Sequence, residues 1–259
     1  KLLLGTLFIS VRPIENLSAA TTGHQPYSLG MVFNNPSIGL LHAISNYFLS
    51  DKGNGISTSD LKESGFLIPE MEPLLAITYV SNETEWREVL DLRLLAAQKG
   101  GRWIGETDPY KLTDEYDKFA RQLVCKIDNR IIAAGRIVFN DGNPEQAEHS
   151  EITKIPDFLW KSGFVELSRV CTHPFYRGST VFHNMTQQLG RIAFEAGYDY
   201  FLINCEDNLI PIYERVGAKQ LGVRFFTPFM KATALNLMLF DIKHNFLGRG
   251  NPLMWEFVF

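Results

Sequence analysis

The segment with the clearest chemical content is His173-Pro174-Phe175-Tyr176-Arg177-Gly178-Ser179-Thr180, between a strand-like run at 165–171 and a helical run at about 180–195. A loop that ends where a helix starts aims several backbone N–H groups at one point, with the positive end of the helix dipole behind them. Such a turn suits the phosphate of a bound cofactor. Arg177 adds a charge, Gly178 lets the backbone approach closely, and Ser179 and Thr180 lead into the first helical turn. Strand–turn–helix units with an arginine are common, so this turn by itself names no reaction.

The elements that must hold this turn follow from hydrophobic period and punctuation. A strand at 74–80 leads into a helix at 84–99, capped by Asn82 or Thr84, with Glu83, Glu85 and Glu88 near its positive end. After a Gly- and Asp-rich loop, strands at 123–127 and 131–139 form a hairpin across Asp128-Asn129-Arg130. A polar insertion at 140–163 precedes the strand at 165–171, and Gly197 closes the long helix. Strands at 200–205, from 220 and at 235–242 surround a short helix at 208–216.

That order, with Arg177-Gly178 before the long helix and Ile212-Tyr213-Glu214-Arg215-Val216-Gly217-Ala218 on the next, resembles the GNAT acyltransferase fold. The resemblance implies an α/β (α+β) fold with a mixed, mainly antiparallel central sheet flanked by helices. It implies that Arg177, Gly178, Ser179 and Thr180 hold a donor phosphate, and that Tyr213 protonates the departing thiolate. The family usually has Gly at the position of Thr180 and a small residue at that of Phe182. Fewer glycines leave less room for a diphosphate, which leans toward acyl carrier protein, whose phosphopantetheine carries one phosphodiester, over acyl-coenzyme A.

A second set narrows the resemblance. Glu166-Leu167-Ser168-Arg169, Asp114-Glu115-Tyr116-Asp117, Gly135-Arg136 and Arg93 look like the signature of acyl-homoserine-lactone synthases and of the related FeeM-type N-acyl amino acid synthases. The insertion before Glu166 and the tail from Thr227 through Asp241 resemble the FeeM-type branch more. This implies transfer of a fatty acyl chain from acyl carrier protein to the amine of an amino acid, with no tightly bound cofactor and no metal. Attack on a thioester needs a neutral amine, so a carboxylate must take its proton directly or through water. Glu166 is the candidate base, with Ser168 beside it as a further catalytic residue. The strand alternates Glu166 and Ser168 outward against Val165 and Leu167 inward, a bulge at Arg169-Val170-Cys171 would free a backbone N–H for the oxyanion, and Val170 joins Arg177 to Thr180 in binding the donor. Arg93, Asp114, Asp117, Arg136 and Arg169 would order the acceptor and receive its carboxylate. The same charges also read as a structural ion network, and Tyr213 as a packed helix residue. Phe164, Phe182, Leu202, Phe225, Phe226, Phe229, Leu237 and Leu239 could line an acyl slot, but a filled core is the stronger reading for any one of them.

Composition sets the outer limits. The 259 residues are 45% hydrophobic and 21% charged with a net charge of −4, which excludes disorder and a generic basic nucleic-acid binder. Cys125, Cys171 and Cys205 lie in apolar runs at long spacings, so reduced thiols in a cytoplasmic protein are expected rather than a disulfide framework. No run approaches the ~20 apolar residues of a membrane span. The chain opens on Lys1, not Met, and so reads as a piece of a longer protein. Strands at 2–11 and 27–33 and a helix at 38–48 resemble the C-terminal half of a PilZ domain, with Tyr27, Gly30 and Phe33 matching its last strand and Asn16-Leu17-Ser18 beginning a motif that Thr21 breaks. The expected organisation is a PilZ-like partial domain at 1–50, a linker at 51–72 and the acyltransferase at 73–259. Two other readings stay open: a GNAT acetyltransferase using acetyl-coenzyme A, and a non-catalytic sensor or adaptor.

Overall fold

The structure is a computed structural model that describes residues 7–13, 27–33, 75–101, 107–127, 129–150, 155–177, 180–227 and 233–244, with isolated positions between 37 and 43. Strands β1 (Leu7–Pro13) and β2 (Tyr27–Phe33) pair antiparallel from Leu7↔Phe33 to Pro13↔Tyr27, as a two-stranded sheet of their own. Most of the helix expected at 38–48, the linker at 51–72 and the Asn16-Leu17-Ser18 segment lie outside the described residues.

The remaining strands form one seven-stranded sheet. They are β3 (Ala76–Tyr79), β4 (Ala120–Ile127), β5 (Arg130–Asn140), β6 (Phe164–Thr172), β7 (Tyr200–Cys205), β8 (Lys219–Phe225) and β9 (Leu235–Asp241), in the order β3-β4-β5-β6-β7-β9-β8. Every neighbouring pair is antiparallel except β6 and β7. Parallel neighbours need a crossover, and helix α3 (Val181–Glu195) supplies it. Helices α1 (Glu83–Lys99), α2 (Asp157–Ser162), α4 (Ile210–Arg215) and the single turn α5 (Ile242–His244) accompany it. Asn82 caps α1 by accepting from Glu85 N–H at 2.9 Å, and Glu85 accepts from Ser81 N–H at 3.0 Å.

Both faces of the sheet are covered. On one face Ile137, Val165, Leu167, Phe201 and Ile203 pack with Met185 and Leu189 of α3. On the other, Phe164, Leu202, Phe225, Leu237 and Leu239 pack with Leu159 of α2. Double burial explains why β5 reads as an unbroken apolar run instead of an alternating one. It also decides between two readings of the residues weighed for an acyl slot, in favour of the core: those five fill a core, Phe182 and Phe226 are exposed, and Phe229 lies outside the described residues. The insertion is not merely polar either. It contains α2, whose Leu159 is fully buried.

Two irregularities shape the centre. Strands β6 and β7 pair only from Val165↔Phe201 to Leu167↔Ile203 and then part. In β6 a bulge follows at once: Ala134 faces Cys171 and Arg136 faces Ser168, so Gly135 alone opposes both Arg169 and Val170. Arg169 takes the left-handed conformation, φ +54°, which a non-glycine residue adopts only when its surroundings enforce it. Gly135 lets α3 press on this point, because a Cβ there would come within 2.8 Å of Leu189 Cδ1 and 3.5 Å of both Met185 Cε and Val170 Cγ2. Among the described residues no helix is long and apolar enough to cross a membrane.

Gly135→Ala should therefore lower stability by ~1–3 kcal/mol, because the buried Leu189 has no open space to move into. Chemical denaturation of the variant against the parent chain checks this, and an unchanged midpoint would contradict the close packing.

Candidate active site

The parting of β6 and β7 opens a cleft of about 200 Å³. Its walls include Leu167 through Cys171 of β6, Ile203 through Cys205 of β7, Phe182 of α3, Tyr213 of α4 and Arg93 of α1. Ser168, Arg169, Val170, Arg93 and Tyr213, all expected at the site, do meet there.

One end of the cleft is built on a buried cation. Arg136, on the central strand β5, is fully buried, and its NH1 donates to Asp114 Oδ1 at 2.5 Å and Asp117 Oδ1 at 2.9 Å. Its NH2 pairs with Glu148 Oε2 at 2.8 Å, and its Nε donates to Ser168 Oγ at 3.0 Å. Arg169 NH2 donates to Asp114 Oδ2 at 2.6 Å, while Arg93 lies 3.6 Å from Asp117 and donates to Gln122 at 2.7 Å. The positions are set locally: Asp114 caps a 3-10 helix at Glu115–Phe119, and Asp117 accepts from Asp114 N–H in return. Three arginines and three carboxylates balance. Burial alone would raise the carboxyl of Glu148, but Arg136, His149 and Arg169 hold it down to about 2. Burial lowers the Arg93 guanidinium to about 10 against the pull of Asp117.

Glu166 stands elsewhere. The expectation that its side chain points outward is corrected: it is fully buried and lines no part of this cleft. The insertion folds over its face of β6, so that Glu166 accepts from Glu148 N–H at 2.7 Å and from His149 N–H at 3.1 Å. His149 Nδ1 lies 2.5 Å from Glu166 Oε1, and His149 Nε2 lies 3.0 Å from Asn204 Nδ2, which belongs to the cleft wall. Glu148, His149 and Asn204 escaped the sequence reading. The only signal was a Glu-His pair inside an insertion, and no spacing relates it to Glu166 or Asn204.

The opposite side of the cleft is less charged. Tyr213 is buried against Phe240, and its hydroxyl has no hydrogen-bond partner among the described residues. Burial, and Cys205 beside it, push its ionisation well above the ordinary phenol range, so it stays protonated. Thr180 precedes α3 without a side-chain cap bond. The Arg177 guanidinium donates to Ala96 O at 3.0 Å, at the end of α1, so it ties the turn to that helix. Gly178 and Ser179 lie outside the described residues.

The sequence model of the N-acyl amino acid synthase FeeM matches residues 101–240, more than half of the chain. The chain belongs to the FeeM family. The match spans the network apart from Arg93, the bulge and Tyr213, and places this FeeM-family chain among acyltransferases. The fold agrees: the structure of FeeM, an N-acyl amino acid synthase from uncultured soil microbes, superposes with a TM-score of 0.54 at 10% identity, over 70% of this chain and 98% of that one. The CoA-dependent acyl-homoserine lactone synthase BjaI, solved with SAM and isopentyl-CoA, aligns at 0.48 and 16% identity over 65% and 83%. A GNAT family acetyltransferase from Elizabethkingia anophelis with acetyl-CoA bound aligns at 0.43 and 14% over 66% and 99%. No curated protein matches the sequence. The fold of this FeeM-family member is thus that of FeeM, with the mixed, mainly antiparallel sheet and flanking helices that were expected.

Removing the buried cation should be costly. Arg136→Met should destabilise the chain by ~3–5 kcal/mol, since it leaves Glu148 buried without its main counter-charge. Adding Glu148→Gln should recover part of the loss, as read from denaturation midpoints. The pH dependence has a fixed sign. The folded carboxyl of Glu148 titrates below its ordinary 4.5, so its stabilisation is present above that pH and is lost as pH falls toward about 2. Glu148→Gln should flatten the acid limb of Tm against pH; an unaltered limb would remove Glu148 from the account.

Proposed function

We propose that this chain transfers a long-chain fatty acyl group from the phosphopantetheine thioester of acyl carrier protein to the amine of an amino acid, and that residues 73–259 carry the reaction. The observation behind this reading is the coincidence, in one cleft, of a strained bulge at Arg169, a protonated phenol at Tyr213 and a balanced ion network. The donor thioester would lie between the parted strands, with its phosphate toward the start of α3 at Thr180. The amine nitrogen attacks the thioester carbonyl carbon, a C–N bond forms, and the C–S bond breaks. The Val170 N–H at the bulge holds the oxyanion, and the Tyr213 hydroxyl gives its proton to the leaving thiolate. The proton shed by the amine leaves through water. Glu166, expected to take it directly or through water, is buried behind the wall and does not reach it. Arg169, held by Asp114 and lining the cleft, offers its guanidinium to the acceptor carboxylate, while the buried Arg136 only supports that network from behind.

Acyl carrier protein is preferred as donor because Thr180 and Phe182, where the family carries smaller residues, narrow the phosphate end. One observation favours a second reading. The core beneath Leu202 and Leu237 is filled and the cleft is small, which suits a short acyl group from acetyl-coenzyme A.

Purified chain given a 16-carbon acyl carrier protein thioester and a mixture of amino acids should yield N-acyl amino acids by mass spectrometry. Tyr213→Phe should lower kcat by ~10²-fold or more, as loss of a general acid does. Product formed from acetyl-coenzyme A alone would establish the second reading, and no acyl product from either donor would sink both.

A further inference from the structure

The reading above leaves one buried group without a task. His149 is almost fully enclosed, yet both of its ring nitrogens are engaged, one on Glu166 of β6 and the other on Asn204 of β7. It therefore bridges the two strands at the point where they part, since their pairing ends at Leu167 and Ile203. Its neighbour Glu148 and its partner Asn204 both line the cleft. Glu148 Oε2 is buried against Arg136 at 2.8 Å, and Arg136, His149, Arg169 and Ser168 keep the carboxyl ionised.

The direction of the Asn204 amide follows from elementary donor and acceptor counting. With Nδ2 turned to His149 Nε2, the ring nitrogen accepts, the ring proton sits on Nδ1, and Nδ1–H donates to Glu166. Asn204 Oδ1 is then left for the cleft. Glu148 and Asn204, each carrying an acceptor oxygen, thus line the same space. A primary amine has two N–H groups to give and keeps its lone pair for the thioester.

We infer that Glu148 and Asn204 form the subsite for the acceptor's primary amino group, and that the Glu166–His149 pair positions it by fixing which end of the Asn204 amide faces the cleft. This rests on the acyl-transfer reading and adds the amine's binding groups to it. A protonated His149 would present Nε2–H, the amide would have to turn, and the cleft would meet NH₂ donors that an amine can bind only with the lone pair it needs for attack and an ammonium cannot bind at all. The groups facing His149 are Glu166 from β6, Glu148 from its own loop, Arg136 from β5, the uncharged Asn204 from β7 and the Phe225 ring of β8 at 5.5 Å. Burial lowers its ionisation but the two glutamates outweigh this, so the change of state falls above the ordinary imidazole value of 6.5.

The test uses n-butylamine as a bare amine probe, followed through the His149 imidazole NMR signals of the full chain. The probe stays an ammonium below about pH 9, as lysine does, so any pH dependence belongs to the protein. Binding should tighten about tenfold as pH rises through the His149 titration, the scale of one hydrogen bond to a charged group. Asn204→Asp keeps the shape and offers an oxygen in either orientation, so it should bind the probe with that pH dependence abolished. Asn204→Leu and Glu148→Gln should each raise the KM for the amine acceptor about tenfold and leave the KM for the acyl donor unchanged. Signals unmoved by butylamine, an Asn204→Asp profile that still follows wild type, or a rise confined to the donor KM would each overturn the assignment. Butylamine binding without acyl transfer would fault the reaction proposed above and leave the amine subsite standing.

Discussion

A guanidinium with no exposed surface at the middle of the central sheet constrains everything around it. Arg136 cannot shed its charge, and leaving a buried cation unpaired costs several kcal/mol. The fold answers from three directions: Asp114 and Asp117 from the loop after α1, Glu148 from the insertion after β5, and Ser168 from the adjacent strand. Each partner fixes a different segment. The loop that precedes β4, the insertion and the start of the bulge are tied to one point, and Arg169 is tied to it through Asp114. The left-handed turn at Arg169 is thus held by an ion pair on its own side chain and by α3 pressing through Gly135.

The second organising feature is the early end of the β6–β7 ladder. Parallel pairing stops after three residue pairs, and the strands diverge just where the bulge begins. Strand polar groups that would have bonded to each other are then available to line a cleft. Charge lies at one end of that cleft and the Tyr213 phenol at the other, with apolar and thiol side chains between. Burial raises the Cys171 and Cys205 thiols to about 11 each, so they are neutral lining groups at physiological pH.

The carboxylate that borders the cleft is not the one expected there. Glu166 lies in the strand whose pattern names it, yet three donors close around it and none of its oxygen reaches the cleft. Glu148 lies in an insertion with no recognisable pattern, and it faces the cleft beside Arg136. The link between them is the backbone itself, since Glu166 accepts the N–H of Glu148. A strand residue can thus govern the cleft by holding the loop that supplies the charge.

Local signals were strong enough to place nearly all the regular elements. The Asn82 cap and the 3.6-residue period set α1, Gly197 closed α3, and the run at 200–205 gave β7 to the residue. The ion network was also legible, because Arg93, Asp114, Asp117, Arg136, Ser168 and Arg169 match a family signature. What failed were statements about which face a side chain occupies and what lies across from it. A period of two assigns Glu166 and Ser168 to one face, but both faces of β6 are covered, so alternation carries no information about solvent. The filling of the core by Phe164, Leu202 and Phe225 depends on α2, a short helix within a stretch that reads as polar. The meeting of His149 with Glu166 and Asn204 joins residues 17 and 55 positions apart. Sequence fixes local geometry through dihedral and capping preferences, which act over a few residues. Contacts at that range arise only from the way the packed layers close, and the chemistry of this cleft is made of them.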